Sequence, residues 1–249
     1  MSTRLLHRPQ SYGHWLVVFV AIGVAWYFMY AMSVSGGDGH HAHHGASDAP
    51  VFALFVMWAL MALAMMLPSF VPALAAFDDI LDAGAGPRRD FYALIGGYLV
   101  AWLMYAALAT ALQLFLADQV LIDEQGKSLS LGLNAVLLIG AGLYQFSPLK
   151  DACLTQCRMP LTFFMEQWQP GTFGAVALGF RLGVICVACC WALMLVGFAG
   201  GVMSLLWMGA ATVLMTVEKL PQLGQYITRP LGAMFVAAGV WFLYRMLGQ

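Results

Sequence analysis

Charge is what this chain has least of. Asp, Glu, Lys and Arg make up 9% of its 249 residues, whereas an ordinary soluble domain carries about 25%. The formal net charge is −1 and no basic run occurs, which excludes nucleic acid as a partner. Also missing are a dinucleotide-binding glycine fingerprint, a phosphate loop with Gly-Lys-Ser/Thr and the DKTGT signature of phosphorylation-type ATPases. Primary active transport by this chain is therefore not expected. Outside one loop the histidines are His7 and His14, so no Ser-His-Asp constellation can be drawn. The sequence leans away from an enzyme without deciding the matter, and no internal repeat is evident.

What the chain does have is apolar length. Hydrophobic residues make up 62% and the mean hydropathy is +0.81. A helix needs roughly 20 apolar residues to cross about 30 Å of hydrocarbon. Seven apolar segments are read, over 14–34, 51–76, 91–117, 131–146, 173–198, 202–217 and 231–246. Spans must satisfy their own backbone hydrogen bonds, and these runs lack the alternation of a membrane barrel. The expected fold is an all-α, polytopic membrane helix bundle of six or seven transmembrane helices, forming a single unit over 1–249 with the lipid bilayer as its first partner. Segment 202–217 is short enough to be a re-entrant half-helix after Gly200 and Gly201.

Orientation follows from the cations. With the N-terminus in the cytoplasm, Arg4, Arg8, Arg88, Arg89, Lys150, Arg158, Lys219 and Arg229 all face inward, and only Lys127 and Arg245 face outward. This places a histidine-rich loop, 35–50, in the periplasm of a bacterial inner membrane, and a loop with a cysteine pair, 147–172, in the cytoplasm. The first segment is longer than the h-region of a signal peptide and is read as a retained helix.

Candidate metal ligands then fall at three depths. The outer set is GDGHHAHHGASD, with His40, His41, His43 and His44 between glycines and flanked by Asp38 and Asp48. Neutral imidazoles suit Cu(II), Ni(II) or Zn(II), although a solvated polar loop would look much the same. The inner set is SPLKDACLTQCRMP, where Cys153 and Cys157 at i, i+4 share a face of a short helix between Pro148 and Pro160. In a reducing compartment that spacing points to free or metal-binding thiols more than to a disulfide.

The middle set joins two segments. In RLGVICVACCW the thiols of Cys186, Cys189 and Cys190 sit at i, i+3, i+4, within about one helical turn. In VFALFVMWALMALAMMLPSFVP, Met57, Met61 and Met65 recur every four residues, with Met66 beside them and Pro68 ending the regular hydrogen-bond pattern. Cysteine and methionine are also ordinary core residues. Depth favours ligation: Met61 and Met65, entered from outside, and Cys186, entered from inside, both approach the midplane at about 1.5 Å per residue. Thiolate plus thioether is the donor set that selects Cu(I). Copper is thus the expected ion, with Met61, Met65, Met66, Cys186, Cys189 and Cys190 as the central ligands and Met57, Cys153 and Cys157 as relay positions. Arg181, the one cation inside a span, is expected to pair with Glu218. Gly179 and Gly183 should admit a neighbouring helix closely.

Four segments carry a resemblance. AMMLPSFVP (64–72), AGLYQFSPLKDACLTQCRMPLTFF (141–164), CVACCWALM (186–194) and FAGGVMSLLWM with EKLP (198–208, 218–221) resemble, in order, those of a bacterial family of predicted metal-binding integral membrane proteins of unknown function. The resemblance covers most of 51–221. It implies an inner-membrane helical protein with a metal site at the matching Met61, Met65, Met66, Cys186, Cys189 and Cys190, and it leaves His40 to His44 outside. Three functions follow as expectations. The first is handling of Cu(I), with a metal chaperone or membrane enzyme complex as partner. The second is an integral subunit of a membrane oxidoreductase or monooxygenase, and the third is an assembly subunit without metal.

Overall fold

The computed structural model describes residues 12–35, 51–123, 126–202 and 204–248. His40, His41, His43 and His44 and the first eleven residues lie outside these. The described chain is α-helical: α1 (Tyr12–Ser35), α2 (Val51–Ile80), α3 (Arg89–Asp118), α4 (Leu131–Gln145), α5 (Pro148–Arg158), α6 (Pro160–Gln167), α7 (Thr172–Leu195), α8 (Gly197–Gly200), α9 (Leu205–Glu218) and α10 (Gly224–Leu247). Five stretches are long and apolar enough to cross a bilayer, and α4 with α5 would supply a sixth span bent by 64°. The short α9 is apolar but falls below that length.

Local chemistry sets the breaks. Ser130, Ser147 and Ser204 each accept a backbone N–H at the start of α4, α5 and α9, replacing a partner the first turn lacks. Pro148 and Pro160 open α5 and α6, where a missing N–H costs nothing.

Pro68 interrupts the backbone hydrogen-bond pattern without ending the helix. The α2 helix runs through Pro68 and Pro72 to Ile80. Pro68 has no N–H for the carbonyl of Ala64 four residues earlier. That carbonyl instead accepts the indole N–H of Trp26 on α1, at 2.9 Å. An unpartnered carbonyl in an apolar interior would cost about 1–3 kcal/mol, so Trp26 both satisfies α2 and ties α1 to it.

The α3 and α7 helices run side by side in the same direction, so closely that side chains are excluded between them. A Cβ on Gly179 would lie 2.0 Å from the Leu94 carbonyl oxygen, and one on Gly97 would lie 2.0 Å from that of Val176. Gly183 faces Ala101 in the same seam, as the glycine spacing predicts. Higher up, the Tyr105 hydroxyl donates to the Trp191 carbonyl at 3.3 Å. This seam fixes Tyr98 of α3 against Cys186 of α7.

Two polar clusters tie the elements together, one of them where α1 begins and α2 finishes. Asp78 accepts from the His14 ring at 3.0 Å, from the Trp15 indole at 3.1 Å and from Arg88, which also reaches Asp82. Lys150 and Glu218 form an ion pair at 2.9 Å with both side chains 1% exposed.

Candidate metal centre

Three thiols of α7 converge. Cys186, Cys189 and Cys190 are buried, and their sulfur atoms all lie within 4.8 Å of one another. Helical spacing alone achieves this, because i, i+3 and i+4 rise over one turn on one face. The Cys189 thiol lies 3.3 Å from that of Cys190 and donates to the Cys186 carbonyl at 3.1 Å.

A fourth thiol comes from the inner set. The α5 helix packs on α7, and the half-buried Cys157 comes close enough to Cys186 and Cys189 to interact with them electrostatically, though it is not one of the three thiols clustered within 4.8 Å. The bend at Gln145–Pro148 makes this possible by turning α5 away from the axis of α4. Cys153, one turn earlier on α5, is buried but does not join the three clustered thiols of α7. The two sets separated by sequence depth are thus joined by Cys157. All five cysteines are free.

The surroundings of Cys186 contain residues that the sequence did not single out. Lys219, just beyond α9, turns inward and donates from Nζ to Cys186 Sγ at 2.9 Å and to Ser69 Oγ at 2.7 Å. Ser69 in turn donates to the Met66 carbonyl at 2.9 Å, and its Oγ is 4.0 Å from the Met66 thioether sulfur. The Tyr98 hydroxyl stands 3.1 Å from Cys186 Sγ and 3.4 Å from the Met66 carbonyl. Positive-inside counting treats Lys219 as a cytoplasmic charge. Its adjacency to Glu218 after an apolar run of only 14 residues is the one signal that the EKLP turn is drawn inward.

The methionine stripe is not one site. Met61, Met65 and Met66 are all buried. Met66 belongs to the network around Cys186, whereas Met57 and Met61 line a separate cavity near the start of α2. The anticipated pair of Arg181 with Glu218 is replaced by two others. Glu218 pairs with Lys150, while Arg181 stays exposed on α7 and donates to the Gln167 side chain at 2.8 Å. The inward bend of α5 is the reason: it carries Lys150 into the slot beside Glu218.

The donor set fits a soft monovalent ion. Thiolates and thioethers select Cu(I) over harder cations. The Lys219 ammonium, 2.9 Å from Cys186 Sγ, is itself a positive charge held against this sulfur.

No curated protein and no solved structure matches the chain. A family model described as PpoB2, copper chaperone, matches residues 55–242, which include every thiol and the methionines of α2. The chain belongs to the PpoB2 copper-chaperone family.

Proposed function

We propose that this protein binds Cu(I) at the α7 thiols within a bacterial inner membrane and passes it on by ligand exchange. The observation that carries the reading is the convergence of three buried thiols within 4.8 Å. In the proposed orientation the N-terminus is cytoplasmic, and His40, His41, His43 and His44 gather copper on the periplasmic side. Thioethers of α2 hand the ion inward to Cys186, Cys189 and Cys190. Cys157, which touches both the cluster and the cytoplasmic helix α5, is the exit ligand, and Cys153 one turn away continues the path.

No covalent chemistry or redox change is needed. Each transfer replaces one sulfur donor by another, so no single step requires a naked ion in hydrocarbon. Lys219 gives the pocket a counter-charge, its ammonium lying against the Cys186 sulfur, and must withdraw when Cu(I) takes its place. Reversible passage requires binding that is favourable but not final, and a cation that returns as the metal leaves supplies this.

The test is elemental analysis of protein purified without a histidine tag from copper-replete cells. Copper should co-purify with the protein and fall by about one equivalent in a Cys186→Ser/Cys189→Ser/Cys190→Ser variant. Undiminished copper in that variant would remove the α7 site.

A further inference from the structure

Near the start of α2, Met57 and Met61 line a cavity together with Met29 and Met32 of α1, Ser33, Val202 and Leu205. Four thioether side chains from two antiparallel helices therefore meet around one void. We infer that Met29, Met32, Met57 and Met61 form a second, all-thioether site for Cu(I). It deepens the copper reading by providing the entry station above the thiol cluster.

The spacing on each helix is what a two-helix site needs. Met29 and Met32 are i, i+3, and Met57 and Met61 are i, i+4, so each pair shares a face. The α1 and α2 helices are antiparallel, with His14 opposite Asp78 and Trp26 opposite Ala64. Met29 lies six residues before the end of α1 and Met57 six residues after the start of α2. The pairs therefore stand at matching depths, about 9 Å below the ends at about 1.5 Å per residue. Met29, Met57 and Met61 are buried, while Met32 is 36% exposed at the rim. The last affords a route in.

Size and chemistry select the occupant. The void is about 30 Å³, room for one ion or one water and not for an organic molecule. Among the described residues, and apart from sulfur, its lining is apolar save for Ser33, whose hydroxyl donates to its own helix at the Tyr30 carbonyl, 2.8 Å away. Neutral donors leave the charge of the ion uncompensated. Since the cost of burying charge rises steeply with its magnitude, a monovalent soft ion is tolerated where a divalent one is not. Met61 and Met65 are four residues apart, so Met65 lies about 6 Å further along the same helix face. The stripe then leads on to Met66 beside Cys186. Met29 and Met32 precede the family-matched region, so this half of the site is a feature of this chain's own first helix.

The test uses selenomethionine-labelled protein with Cys157, Cys186, Cys189 and Cys190 replaced by serine, titrated anaerobically with Cu(I). One equivalent should bind with selenium scatterers around copper. Met29→Leu/Met32→Leu should abolish it, whereas Met165→Leu, on an exposed side chain of α6, should not. Leucine conserves volume closely enough to keep the packing, which circular dichroism checks. In case the serine variant does not fold, the thiol-containing protein titrated with Ag(I) should lose one equivalent on Met29→Leu/Met32→Leu. Copper–selenium scattering that survives the leucine pair, or an unchanged Ag(I) stoichiometry, overturns the site. Copper bound by the thiol-containing protein but not by the serine variant overturns this site alone and leaves the thiol cluster standing. Equal copper in the thiol-containing protein and the serine variant, lost from both on Met29→Leu/Met32→Leu, removes the cluster and keeps this site.

Discussion

Lys219 Nζ lies 2.9 Å from Cys186 Sγ, so a buried ammonium contacts one of the three clustered α7 thiols. The contact makes cation exchange the central event at this site. Two unit charges 4 Å apart repel by about 4 kcal/mol at an effective dielectric of about 20, so ammonium and Cu(I) cannot share the pocket in their contact positions. Lys219→Met should therefore hold Cu(I) longer. Extraction of the ion by an excess of a Cu(I) chelator should slow by at least about tenfold, roughly 1.4 kcal/mol. Faster extraction would show that Lys219 helps hold the ion and does not displace it.

The seam between α3 and α7 should be as intolerant as its geometry suggests. Gly179→Ala places a methyl 2.0 Å from the Leu94 carbonyl oxygen, and the helices must part to admit it. Overpacking of this kind costs about 1–3 kcal/mol and carries Tyr98 away from Cys186. A thermal melt in detergent together with copper content should show both losses. Full copper at a lowered melting temperature would separate the seam from the site.

Trp26 and Pro68 should be coupled. Trp26→Phe leaves the Ala64 carbonyl without its donor and should destabilise by about 1–3 kcal/mol. Pro68→Ala restores a backbone N–H to that carbonyl, so Trp26→Phe/Pro68→Ala should recover much of the loss. A double-mutant cycle on unfolding checks this, and strict additivity would contradict the assignment.

The buried pair of Lys150 and Glu218 should behave as an all-or-none unit. Lys150→Met alone strands a buried carboxylate, at a cost of about 3–5 kcal/mol. Lys150→Met/Glu218→Gln should be markedly milder. Equal damage by the single and double replacements would mean that Glu218 draws its stabilisation elsewhere, with Arg158, which donates to its backbone carbonyl, as the nearest group.

Much of this was legible beforehand, for physical reasons. Helical class follows from apolar length, and the convergence of Cys186, Cys189 and Cys190 from their spacing within one helix. Contacts between helices were harder. Cys157 is 29 residues from Cys186, and only the bend after α4 brings it in. Lys219, just beyond α9, is read from sequence as a cytoplasmic charge and Ser69 of α2 carries no signal; only packing between elements brings both to Cys186. The evenly spaced Met57, Met61 and Met65 suggested one site because spacing along a helix shows which face a residue occupies but not which neighbour covers each turn. Here α1 covers the first two. By topology Arg181 is expected to pair with Glu218; instead it stays exposed beside Gln167, and Glu218 takes Lys150, which the bend after α4 brings in.

The most direct measurement is X-ray absorption at the copper edge on the tag-free protein loaded with Cu(I). A cuprous edge with a shell of sulfur scatterers, lost from the thiol distance in Cys186→Ser/Cys189→Ser/Cys190→Ser, is the predicted result. A shell of nitrogen or oxygen scatterers, or a sulfur shell unchanged in that variant, would contradict a copper site built on α7.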